Sequence, residues 1–203
     1  MQDLLQHIVG HDQLHARWLN TLSFMENAGA RKISACEHPT LVSFIQLKHA
    51  AEEHRHAYYL KKQIAKVDPE SCKTYQLHEL LAPNQTRHYL HRLDMQTCRY
   101  LKDTFSLEGS RLRHAAYLFV TYAIEVRADE LYPVYQATLD NAASKVMVKS
   151  IILEEEGHLE EMINQLNEFD AAWETHARHI LALEQQLFSE WLSAIGEELK
   201  VPA

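Results

Sequence analysis

At 203 residues the chain is long enough for one domain with a substantial core and short for two, and its five Gly and five Pro among abundant Leu, Ala, Glu, Gln and Lys favour an all-α protein. A formal charge of −8 without any Lys/Arg-rich block argues against a nucleic-acid partner, because neutralising phosphates needs clustered cations. Cys36, Cys72 and Cys98 are widely spaced and form no CxxC pair, so neither a disulfide framework nor a thiolate metal site is expected.

The first residues, MQDLLQHIVG, lack a cationic segment followed by an apolar one, and no apolar run reaches the roughly 18 residues of a membrane span. A cytoplasmic protein with reduced thiols and no membrane partner is the expectation. After a short leading segment closed by Gly10, apolar residues at helical spacing (Leu14, Trp18, Leu22, Met25, Ile33) predict a helix over 11–35. Pro39 suits a first helical turn, and a second helix is predicted over 39–66. Residues 67–109 carry prolines and polar stretches around one amphipathic segment, 87–105, and read as a long connection with a helix of its own. Ser110 is a candidate cap for a helix over 111–138, with Pro133 as a kink or early stop. Asp140 or Asn141 would cap the next helix, 142–166, and Asp170 a last one, 170–199. Short, long, short connections predict one domain, 1–203, built as a four-helix bundle with one crossover.

Two stretches interrupt the apolar stripes of this pattern. In Glu52-Glu53-His54-Arg55-His56 and in Glu154-Glu155-Glu156-Gly157-His158, a Glu and a His stand three apart, so each pair shares one helical face. With 14 His in the chain, chance alone supplies roughly one or two such spacings, so the spacing itself decides little. Position decides more. Glu155 falls within the stripe Val148, Ile151, Ile152, Leu159, Met162, and Glu53 and His56 fall within Val42, Ile45, His49, Leu60.

Inward carboxylates require a partner or a metal. Glu26 lies on the face of Leu19, Leu22 and Ile33, and Glu125 on that of Leu118, Thr121 and Tyr132. Glu26 precedes Glu53 by 27 residues and Glu125 precedes Glu155 by 30, so each half reads Glu, helical hairpin, Glu-x-x-His, as in a diverged duplication. Six ligands follow: Glu26, Glu53, His56, Glu125, Glu155 and His158. Their four carboxylates match the charge of two divalent cations. Hard oxygen donors with one nitrogen per metal suit two Fe ions first, and Mn or a mixed Mn/Fe pair second.

This arrangement resembles the ferritin-like di-iron carboxylate superfamily over residues 11–166, and the first motif is similar to the (D/E)-E-x-R-H form of acyl-carrier-protein desaturases and bacterial multicomponent monooxygenases. The resemblance implies that Glu52 and Glu154 bind the far nitrogens of the metal histidines, and that an arginine, Arg55, supports one side only, since Gly157 stands in its place in the second motif.

Other residues stay open. His49, one turn before Glu53, is an extra ligand, a supporting donor or an ordinary core histidine. Thr121 and Tyr122 could hydrogen-bond an oxygen species or a carboxylate at the site, or be ordinary buried hydroxyls. Tyr59 could lie near the site, and His11 and His15 read as a solvated helix start.

The resemblance implies an O2- or peroxide-activating oxidoreductase. The absence of CxxC disfavours a rubrerythrin, and the long connection and last helix disfavour a plain cage ferritin. An oxygenase or oxidase acting on a small organic molecule is the leading expectation, an iron-storing ferroxidase the alternative, and a helical interaction protein with a vestigial site the third reading. An electron-donor protein and a second copy of the chain are further candidate partners.

Overall fold

The computed structural model describes residues 1–201. Among them are seven α-helices and no strand: α1 (Gln2–Val9), α2 (Asp12–Ala35), α3 (Phe44–Gln63), α4 (Pro83–Phe105), α5 (Gly109–Asn141), α6 (Lys149–Phe169) and α7 (Trp173–Leu199). None is long and apolar enough to cross a membrane.

Two hairpins organise the chain. α2 packs along α3, α5 packs along α6, and α4 and α7 pack on each other and on α5. Each hairpin's short connection forces its helices antiparallel. α1 buries Leu4, Leu5 and Ile8 against α2 and α5, each side chain contributing roughly 1.5–3 kcal/mol. A fully buried aromatic cluster lies where α2, α5 and α7 meet. There Trp18 stacks on Trp191 with centroids 5.5 Å apart, Tyr135 meets Trp18 edge-on at 6.0 Å, and Trp191 donates its indole N–H to Thr86 Oγ1 at 2.8 Å.

Several boundaries differ from expectation. The helix expected from residue 39 begins at Phe44. Pro39 lies in a loop where His38 Nδ1 accepts the amides of Thr40 (3.2 Å) and Leu41 (3.1 Å), a local arrangement that competes with helix formation. Val42, expected to face the core, is exposed, and Gln46 is buried instead, donating to the Ile33 carbonyl at 3.0 Å.

The amphipathic segment of the crossover starts earlier than 87, at Pro83 in the first turn of α4. α5 is longer than 111–138. Glu108, not Ser110, is its N-cap, and Gly109 enters it at φ +58°, where a side chain would be strained. Pro133 neither stops nor shortens it: the ring is exposed, and the carbonyl it leaves unpaired, on exposed Asp129, can turn to water. Asp140 and Asn141 end α5 rather than cap the next helix, which begins at Lys149. Residues 142–148 form a loop held inward by buried Val146 and Val148, with the Val148 amide donating to Gln136 Oε1 at 2.8 Å. Asp170 caps the approach to α7 through the Ala172 amide (2.7 Å), and the helix itself starts at Trp173.

Candidate metal centre

Four helices each contribute to one buried polar cluster. α2 supplies Glu26 and α5 supplies Glu125, while α3 supplies Glu53 with His56 and α6 supplies Glu155 with His158, each pair one turn apart on an inward face. Five of the six are at most 7% exposed, and Glu26 is half-buried.

The candidate ligand atoms of Glu26, Glu53 and His56 lie within 4.8 Å of one another, as do those of Glu53, Glu125, Glu155 and His158. His56 Nδ1 is 3.9 Å from Glu53 Oε2 and 3.0 Å from Glu155 Oε1. His158 Nδ1 is 3.7 Å from Glu53 Oε1, 3.3 Å from Glu155 Oε2 and 3.7 Å from Glu125 Oε2. Glu53 and Glu155 therefore each turn one oxygen toward either imidazole, with Glu26 on the His56 side and Glu125 on the His158 side. Such a donor set can hold two cations that share two carboxylates.

The far nitrogens are engaged crosswise. His56 donates Nε2–H to Glu154 on α6 at 2.8 Å, and His158 donates Nε2–H to Glu52 on α3 at 2.7 Å. Arg55 donates to Glu154 at 2.6 Å and also comes within 3.5 Å of Glu52, so one guanidinium reaches both carboxylates rather than one side of the site. At Gly157 a Cβ would meet nothing within 4 Å, and no second arginine stands there.

With Nε2–H donated outward, each imidazole turns Nδ1 inward, as a lone pair when the ring is neutral and as an N–H when it is protonated. His56 Nδ1 is buried and makes no hydrogen bond even though Glu155 Oε1 is nearby. A lone pair facing a carboxylate is repulsive unless a cation or proton lies between them, so the donor set has room for either a metal or a proton there. Protonation shifts carry the same signature. Burial, then the charges of Glu26, Glu155 and Glu125, push the Glu53 carboxyl well above its ordinary range, and burial with Glu155 does the same to Glu125. Burial also works against charge on Glu155, but hydrogen bonds from Glu125 and His158 and the nearby charge of His56 prevail and hold it low. His158 is opposed by burial and yet raised to about 11 by Glu125 and Glu155, and His56 is raised in the same way, chiefly by Glu155. A divalent cation bound here would compete with protons for the same atoms.

His49 is fully buried and has no free nitrogen. Its Nε2–H donates to Glu161 at 2.8 Å and the Tyr117 hydroxyl donates to Nδ1 at 3.1 Å, while its ring lies 4.8 Å from that of His158. It braces His158 instead of adding a ligand. Burial, with His158 nearby, lowers its pKa and keeps it neutral. Thr121 is buried on a cavity wall beside Glu125, whereas Tyr122 turns its ring edge-on to Trp173 at 5.3 Å, outside the cluster. Tyr59 donates to the Met147 carbonyl at 3.0 Å and stays outside too. His11 is exposed, but His15 is not solvated as expected: it is 1% exposed, with Nε2 2.7 Å from the Tyr135 hydroxyl.

Two contacts beside the site were not foreseen from the sequence, although Tyr132 shares the face of Glu125. Tyr132 donates its hydroxyl to Glu26, and Glu161 anchors His49 while accepting from Lys48 at 2.6 Å. The shared face of Tyr132 and Glu125 does not tell that the hydroxyl reaches Glu26 on another helix, while Glu161, three residues after His158, shares that histidine's face and could have been found by its spacing. No protein-family model, curated protein or solved structure matches the chain.

Proposed function

We propose that the chain is a ferritin-like dimetal carboxylate protein, α2, α3, α5 and α6 forming its four-helix bundle, and that it is an oxidoreductase activating O2 or peroxide for the oxidation of a small organic molecule. The observation that carries this reading is the pair Glu53 and Glu155, each offering one oxygen to either imidazole. Two Fe(II) ions, or Mn in their place, would be held by Glu26, His56, Glu125 and His158 with Glu53 and Glu155 between them, and would supply the electrons that reduce O2.

The chain's own residues do the rest. Glu154 and Glu52 fix the tautomer and ring orientation of His56 and His158, and Arg55 holds both carboxylates in place. The Tyr132 hydroxyl binds Glu26 and limits where that carboxylate can swing. Burial keeps bulk water away, while Thr121 brings a hydroxyl to the cavity beside Glu125. The crossover helix α4, which a storage shell does not require, roofs that cavity and favours an enzyme over an iron store.

Protein loaded with Fe(II) without air and then exposed to it should consume O2 and gain the near-ultraviolet absorption of two coupled ferric ions. A chain that takes up Fe(II) and leaves O2 untouched would rule out the oxidase reading, and a large closed shell in solution would favour storage.

A further inference from the structure

Between α2 and α5 the helices leave a crevice, and α4 lies over it. It forms a cavity of about 100 Å³ whose inner end is Glu26, Glu53 and Glu125. Leu22, Met25, Val120, Ile124 and Leu131 make its walls apolar. At the rim Lys32 and Asp94 pair at 2.7 Å with side chains 33% and 25% exposed, so their charges cancel where a ligand would enter.

Gly29 faces this space from the interior of α2. A Cβ built there would meet no atom within 4 Å, and its φ is not among the positive ones that call for glycine. Glycine in a helix interior lowers stability relative to alanine, so neither backbone conformation nor crowding accounts for it. What the missing side chain does leave is room in front of the carboxylates.

We propose that this cavity binds a slim, uncharged, apolar molecule and that Gly29 sets how much of it fits beside Glu26 and Glu125. A dry apolar cavity of about 150 Å³ accepts benzene, so this one accommodates a chain of about four to six carbon atoms, with anything longer projecting past the rim. An anionic ligand would lose its hydration against apolar walls, with Lys32 already paired to Asp94 and only carboxylates at the inner end. The proposal rests on the dimetal reading only for the oxidation of the bound molecule; the binding itself needs only the walls.

The test is calorimetric titration of the full chain, metal-free and Mn(II)-loaded, with 1-butanol, 1-hexanol and 1-octanol, and with hexanoate as the charged counterpart. Saturable binding of an alcohol is expected, with hexanoate binding more weakly. Gly29→Leu should weaken alcohol binding by about tenfold or more by filling the cavity, with metal content unchanged. If Gly29→Leu does not fold, Ala128→Leu from the facing wall replaces it with the same expectation. Absence of saturable alcohol binding, equal binding by the leucine variant, or equally tight binding of hexanoate overturns the proposal. Alcohol binding without any metal uptake would instead sink the dimetal reading and leave the cavity standing.

Discussion

His158 on α6 donates its Nε2–H to Glu52 on α3 over 2.7 Å, and the converse contact, His56 on α3 to Glu154 on α6, spans 2.8 Å. Each hairpin thus orients the other's imidazole, and neither half of the site is complete alone. Glu52→Gln should weaken metal binding on the His158 side by about 10–100-fold, and Glu154→Gln should do so on the His56 side. Competitive titration with a chromophoric chelator measures this; unchanged affinity in both variants would show that the crosswise contacts do not support a metal. Arg55, whose side chain is 55% exposed, should matter less, and Arg55→Ala is expected to shift affinity by about 1 kcal/mol or less.

A pH dependence follows from the shifted groups. His158 is raised to about 11 and His56 is raised, so their contribution to folding is complete below the ordinary histidine range and is lost as pH rises toward about 11. Glu53 and Glu125, raised also, lose stability in the same upward direction from above the ordinary carboxyl range. Glu155, held low, contributes stability that disappears only in acid. Chelator-treated protein should therefore lose thermal stability between neutral and alkaline pH, while metal-loaded protein, with cations in place of the protons, should not. Metal affinity should rise with pH, with protons released on loading. A Tm of the metal-free chain that stays level or increases with pH would contradict this.

Away from the site, buried Glu184 on α7 accepts Arg127 Nε at 2.9 Å and a terminal nitrogen of the same guanidinium at 2.7 Å, together with the Tyr89 hydroxyl, tying α4, α5 and α7 together. Arg127 also lies over the Phe188 ring at 4.0 Å. Arg127→Ala leaves a carboxylate buried without its cation and should cost about 3–5 kcal/mol in denaturant unfolding. A loss below about 1 kcal/mol would mean that water reaches Glu184 freely.

Gly29→Ala should raise unfolding stability by about 0.5–1 kcal/mol, since the helix gains propensity and the added methyl meets open space. Destabilisation would show that the crevice is closed in solution.

The six candidate ligands were legible in the sequence because a carboxylate inside an apolar stripe is costly and therefore informative. The crosswise partners Glu52 and Glu154 were legible only through the form of the motif, since nothing in helical spacing says which helix a side chain will reach. The start of α3 was missed because Leu41, Val42 and Phe44 continue an apolar pattern yet are exposed, at 77%, 44% and 80%. The loop 142–148 was hidden for the opposite reason: Val146 and Val148 are buried without being helical. Tertiary packing makes those choices, and local periodicity does not encode it.

The most direct test of the central claim is the metal content of protein purified after Fe(II) or Mn(II) loading, compared with that of Glu53→Ala. With Glu53 offering an oxygen to either half of the site, about two ions per wild-type chain are expected, and the variant should lose at least one of them. A wild-type chain that retains no metal, or a Glu53→Ala chain that retains both ions, would contradict the account.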